Sequence, residues 1–185
     1  MNRGSEDWRE RAIRDAVIGG NTAAWRAWYD EHFEPLSRYV NWRCGGLVEW
    51  TDDVLQETWL VAVRRLKTFN PAHGSFACWL RGIAANAVRN ALRSRHRYRS
   101  RVRSLEATAE PVAPNANASF DKGERVAAAL AAINPLYETV LRAKYLEKQS
   151  VEEMAASLGE SAKAIESRLT RARQAFREVY EADHD

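Results

Sequence analysis

Residues Thr51–Phe69, TDDVLQETWLVAVRRLKTF, decide how the rest of the chain is read, because they form one amphipathic helical pattern with an anomaly on its outer face. Thr51 suits an N-cap, and Asp52 and Asp53 then fall in the first turn, where the helix dipole favours negative charge. At about 100° per residue, Leu55, Thr58, Trp59, Ala62 and Leu66 share one stripe, with Asp53, Gln56, Glu57 and Arg64 opposite. Leu60 lands in the middle of the polar side. A lone exposed leucine is ordinary on a protein surface, whereas an apolar anchor ringed by acid and amide groups is the pattern of a protein-docking face. The rest of the chain decides between the two.

The 185 residues are 45% hydrophobic and 29% charged, enough for one medium domain or two small ones with real cores. Strand signals are almost absent and Ala, Arg, Leu and Glu abound, so the predicted fold is all-α. Two cysteines, Cys44 and Cys78, make no disulfide framework, and the N-terminus has no signal-like pattern, which points to the cytoplasm. No apolar run approaches the roughly 20 residues that span a membrane. A net charge of +3 does not by itself mark a nucleic-acid binder, so the distribution of charge matters more than its sum.

Before the central stretch, a helix is expected over Glu6–Ile18, stopped by Gly19 and Gly20. A second follows over Thr22–Arg43, broken or kinked near Pro35, with aromatics from Trp25 to Trp42 that belong to a core. After it come a loop, Asn70–Gly74, and a long helix over Ser75–His96. That helix buries Phe76, Leu80, Ile83, Ala84, Ala87 and Ala91 and turns Asn86, Arg89, Arg93 and Arg97 outward. Asparagines among arginines, beside a loop with Asn70 and His73, meet phosphates and base edges together, so this face reads as a nucleic-acid surface rather than merely a solvated one.

Residues 102–120, rich in Ala, Pro, Asn and Ser without periodicity, read as a flexible linker between helical domains 1–101 and 121–185. The second domain opens with helices over Asp121–Ile133 and Pro135–Glu147, the latter using Leu136, Val140, Leu141 and Tyr145. Then Ser150 and Glu153 form a capping box, Met154, Ala155 and Leu158 face inward, and Gly159 supplies a tight turn. A longer helix follows from near Ser161, with Ile165, Leu169, Ala172, Phe176 and Val179 inward. This is a helix-turn-helix pattern. Lys163, Glu166, Ser167, Thr170, Gln174 and Arg177 face outward with Arg171 beside them, while Arg168 and Arg173 lie on the flanks, within reach of phosphates or of acids in the same domain.

Three separate stretches resemble one family. Asp52–Trp59 is similar to the acidic D-x-x-Q-E helix of bacterial sigma factors, and Trp79–Asn86 resembles the W-L-x-x-I-A-x-N segment of their small extracytoplasmic-function group (group IV). Ile165–Arg173 resembles the V-x-S-R-x-x-R-A-R recognition helix of that group's last domain. The resemblance implies a non-enzymatic, two-domain initiation factor for core RNA polymerase that needs no cofactor or metal. Its docking helix would meet the clamp region of the largest subunit through Asp52, Asp53, Gln56, Glu57 and Leu60. The first domain would capture an unstacked base of the locally melted non-template strand with Asn70, His73, Ser75, Asn86, Arg89, Asn90, Arg93 and Arg97. The last domain would read double-stranded promoter DNA through Lys163, Ser167, Arg168, Thr170 and Arg171. Family members are often held inactive by an anti-sigma protein that covers the polymerase face. Lys163 and Ala164 stand where a Gly-Thr pair is usual, Glu166 replaces a commonly basic residue, and Asn90 stands where many relatives have Asp.

Two rival classes account for less of the chain. A stand-alone helix-turn-helix regulator accounts for residues 135–180 but leaves the Asp52 helix and the basic long helix without a task. An enzyme built on Cys44, His73 and Cys78 lacks both zinc-ligand spacing and a partner carboxylate.

Overall fold

The structure, a computed structural model, describes residues 3–106 and 118–182. Those residues form α-helices without strands, in keeping with the predicted all-α class. In chain order the helices are α1 (Arg3–Ile18), α2 (Thr22–Arg43), α3 (Val48–Arg65), α4 (Phe76–Glu106), α5 (Ala118–Ala132), α6 (Pro135–Tyr145), α7 (Val151–Leu158) and α8 (Ala162–Ala182). Short 3-10 turns at Leu66–Thr68 and Pro71–His73 join α3 to α4. Two compact units result, residues 1–41 with 48–93 and residues 42–47 with 94–185.

Several helix ends differ from the sequence expectation. The α3 helix begins at Val48, a turn before Thr51, so Thr51 is not its N-cap. Thr51 is instead buried within the helix, its hydroxyl 3.4 Å from Asn41 Oδ1. The left-handed Gly45 and Gly46, with φ of 65° and 81°, turn the chain early enough for Trp50 to join the core. α2 is unbroken across Pro35, which is exposed, so water can solvate the carbonyl left without its helical partner. α4 runs to Glu106 and α5 starts at Ala118, each reaching into the 102–120 segment, whose centre, 107–117, lies outside the described residues.

The first unit is organised by aromatic packing. Trp28 stacks on Phe76 at 3.7 Å between ring centroids, Phe69 lies 6.0 Å from Trp28 and 5.4 Å from Phe76, and Trp79 closes the group against both phenylalanines. Because Phe69 and Phe76 flank residues 70–75, burying both rings fixes where that loop leaves and re-enters the core. A second group sets α2 against α3, with Trp59 4.5 Å from Tyr29 and 6.0 Å from Trp25. All five residues of the predicted α3 inner stripe are buried. On α4, Phe76, Leu80 and Ala84 are buried as expected, Ile83, Ala87 and Ala91 only partly, and Val88 completes the buried stripe.

In the second unit Leu130, Val140, Leu141, Met154, Ile165, Leu169 and Ala172 form one cluster. Asn134 caps α6 by accepting from Leu136 N at 2.8 Å, with Pro135 at the first helical position. The capping box of α7 is complete: Ser150 Oγ accepts from Glu153 N at 3.1 Å and Ser150 N donates to Glu153 Oε2 at 2.7 Å. Gly159, at φ 68°, makes the turn into α8. Three expected core positions are corrected. Leu136 in the first turn of α6, Tyr145 at its end and Leu158 at the end of α7 are 62%, 47% and 38% exposed, because each sits at a helix end beyond the cluster.

Candidate functional site

The outer face of α3 divides into two surfaces. Asp52, Gln56 and Leu60 line a groove of about 480 Å³ together with Trp25, Tyr29 and Phe33 of α2 and Leu55, Trp59 and Val63 of α3. Leu60 is 45% exposed and Val63 56%, so two apolar side chains rise from a rim of acid and amide. The indole N–H of Trp59 is buried without a hydrogen-bond acceptor. Asp53, next to Asp52 in sequence, is exposed and does not line this groove. Glu57 goes elsewhere: it lines a polar groove between α3 and α4, also about 480 Å³, with Val61, Arg65, Ile83, Asn86, Ala87, Arg89, Asn90 and Arg93. Gln56 and Glu57 are neighbours in sequence, but a helix turns about 100° between them.

That second groove gathers four of the α4 residues expected to meet DNA, Asn86, Arg89, Asn90 and Arg93. Arg89 Nη2 donates to Asn86 Oδ1 at 2.5 Å, which orients the amide, while Asn90 and Arg93 are exposed. Arg97 is exposed further along α4, in the part that belongs to the second unit. In the adjoining loop, Asn70 Oδ1 accepts from Ala72 N at 3.1 Å and Ser75 Oγ from Cys78 N at 3.3 Å, so both side chains shape the backbone locally. His73 is exposed. The loop's ends are held by α1, an element outside the expected site: Arg14 Nη1 donates to Phe69 O at 3.0 Å, and the Glu10 carboxylate accepts from Phe76 N at 2.9 and 3.1 Å. Burial pushes the Glu10 carboxyl above its ordinary value, and the charges of Asp7, Glu6 and Glu31 push the same way against the Phe76 hydrogen bond.

On α8, Lys163, Glu166, Ser167, Thr170 and Arg171 are exposed on one face. Arg171 folds back, Nη2 donating to Ser167 Oγ at 3.1 Å, and the Thr170 hydroxyl donates to Glu166 O at 3.0 Å. Arg168 is engaged: its guanidinium makes a two-pronged pair with Glu160 at 2.7 and 2.6 Å, tying α8 to the turn before it. Among the described residues no group of three His, Cys, Asp or Glu side chains is placed to hold a metal, and no helix is long and apolar enough to cross a membrane.

Comparison with known proteins places these surfaces in a family. Sigma-70 region 2 matches residues 28–98, covering the α3 face and the α4 groove, and Sigma-70, region 4 matches residues 123–176, covering the helix-turn-helix. Over 171 residues the chain is 30% identical to the ECF RNA polymerase sigma factor BldN of Streptomyces coelicolor, a match that takes in 91% of this chain and 64% of BldN. Among solved structures it is similar to CnrH in complex with the cytosolic domain of CnrY (26% identity, TM-score 0.46, 94% of this chain and 98% of that one). It is also similar to the sigma factor RpoE in complex with the anti-sigma factor NepR from Bartonella quintana (22% identity, TM-score 0.40, 85% and 99%). With the two sigma-70 regions in order on one chain, the protein belongs to the sigma-70 family, and the relative it resembles within that family, of whose length it spans about 64%, is an extracytoplasmic-function factor.

Proposed function

We propose that this chain is a promoter-specificity factor that docks on core RNA polymerase through the α3 face and reads promoter DNA with both units. The observation that carries the reading is Leu60, an exposed leucine set among Asp52, Gln56 and the half-open aromatic groove of α2. A solvated helix face has no use for that arrangement, whereas an interface anchor needs an apolar centre with polar groups around it. Membership of the family supports the clamp region of polymerase's largest subunit as the partner. It also supports the anti-sigma mode of inhibition, in which a protein covering the same face blocks polymerase.

The α4 groove and the loop before it serve the downstream promoter element. Flipping a base costs a few kcal/mol, which a polar pocket with arginines at its edge can offset. Asn86 and Asn90 present amide donors and acceptors, Arg89 and Arg93 supply positive charge, and His73 stands exposed in the loop. Asp53 and Glu57 flank the docking face, Glu57 on the side of this groove. Asn70 and Ser75 act by shaping the loop, and Arg97 extends the basic strip toward phosphate. On α8, Lys163, Ser167, Thr170 and Arg171 enter the major groove of the upstream element, while Arg168 holds the turn through Glu160. The chain then acts without catalysis of its own, in the cytoplasm where polymerase and promoter are. In vitro transcription with core polymerase and a promoter library tests all of this together. The proposal expects factor-dependent transcripts sharing a two-part promoter sequence; transcription no higher than with core enzyme alone would overturn it.

A further inference from the structure

Helix α1 lies N-terminal to the residues that sigma-70 region 2 matches, yet two of its side chains grip the loop proposed above to capture a DNA base. Arg14 Nη1 donates to Phe69 O just before residues 70–75, and Glu10 accepts from Phe76 N just after them. The second contact is a helix cap supplied from another element. Phe76 opens α4, its N–H has no intrahelical partner, and the positive end of the helix dipole favours a carboxylate there. Ser75 Oγ serves Cys78 N, so separate donors of the first turn have separate acceptors. α1 is itself fastened to α2, Arg9 pairing with Glu31 at 2.9 and 3.3 Å.

We propose that Glu10 and Arg14 are positioning residues for promoter recognition, and that α1 is a brace fixing both ends of the 70–75 loop so that His73 and the α4 groove meet the unstacked base preformed. The inference rests on the base-capture reading. Between its ends the loop is exposed apart from Pro71, so burial alone leaves most of it unconstrained. Two backbone groups clamped from a neighbouring helix remove that freedom before DNA arrives, and a preformed site discriminates better than one that must order on binding.

The test uses holoenzyme assembled from the full chain and core polymerase, reading downstream-element base preference from a randomised promoter library, with polymerase affinity and thermal melting measured on the same variants. Glu10→Ala and Arg14→Ala should each flatten that preference about three- to tenfold, the effect of losing one hydrogen bond, with upstream preference and polymerase affinity unchanged. Glu10→Gln keeps an oxygen acceptor for Phe76 N and should restore the preference. A merely structural role predicts instead lower melting temperature with both promoter elements and polymerase binding weakened alike, and that result overturns the inference. His73→Ala separates the two levels. If it alters the downstream preference while Glu10→Ala and Arg14→Ala do not, the brace is wrong and base capture stands; if none of the three alters it, both are wrong. Should Glu10→Ala fail to fold, Arg14→Ala, whose guanidinium is partly exposed, carries the test.

Discussion

Arg168 and Arg171 stand one helical turn apart on α8 and have different work. Arg168 is committed to Glu160 by two short bonds, whereas Arg171 holds only Ser167 and is exposed. Arg171→Ala should therefore cost about 1–3 kcal/mol in binding to a matched promoter and relax preference at one position, if it reads a base edge. Gel-shift titration against matched and scrambled duplexes measures this, and an equal loss on both would reduce Arg171 to a phosphate contact. Arg168→Met should instead lower the melting temperature modestly, the pair being worth up to about 1 kcal/mol at a partly exposed site. Glu10 makes a pH prediction. Its folded-state pKa is raised above 4.5, so just above that pH the folded chain binds more proton than the unfolded one. Its contribution to stability is therefore fully present below pH 4.5 and is lost as pH rises through the folded value. The melting temperature of the parent minus that of Glu10→Gln should fall from acid pH toward neutrality; a difference that rises with pH would contradict the assignment.

At the scale of elements, periodicity made the inner and outer faces of α3 and α8 legible, because a stripe repeating at helical spacing is written locally. Helix ends were less so. Thr51 followed by two aspartates looks like a cap, but Trp50 is drawn into the core and carries the helix start upstream with it. Leu136 and Leu158 fit the periodic stripe yet lie past the edge of the cluster that a stripe alone does not delimit. The division of Gln56 from Glu57 between two grooves needed α2 and α4 in place, and Glu10 and Arg14 were invisible because their partners lie 66 and 55 residues away. The capping box was legible, since both of its bonds span three residues. Ser150→Ala should cost about 1 kcal/mol by denaturant unfolding, and no change would mean α7 is held by packing alone. On α4, Arg93→Ala should reduce the salt dependence of promoter binding by about one unit of slope, read from affinity against ionic strength.

For the whole molecule, the formal charge of +3 understates what the chain can bind, because the arginines of α4 and the exposed face of α8 concentrate positive charge locally. On the proposed reading, two DNA-reading units on one chain raise each other's effective concentration at a promoter, and neither explains an apolar anchor on α3. The proposed docking on polymerase is what gives that anchor a use. The most direct measurement is capture of core RNA polymerase by the parent and by a Leu60→Asp, Gln56→Ala double variant, with melting curves for both. Leu60 and Gln56 are exposed, so folding should be unaffected. The variant should melt like the parent, still bind upstream-element DNA and no longer retain polymerase; equal retention of polymerase by the two proteins would rule out docking through α3.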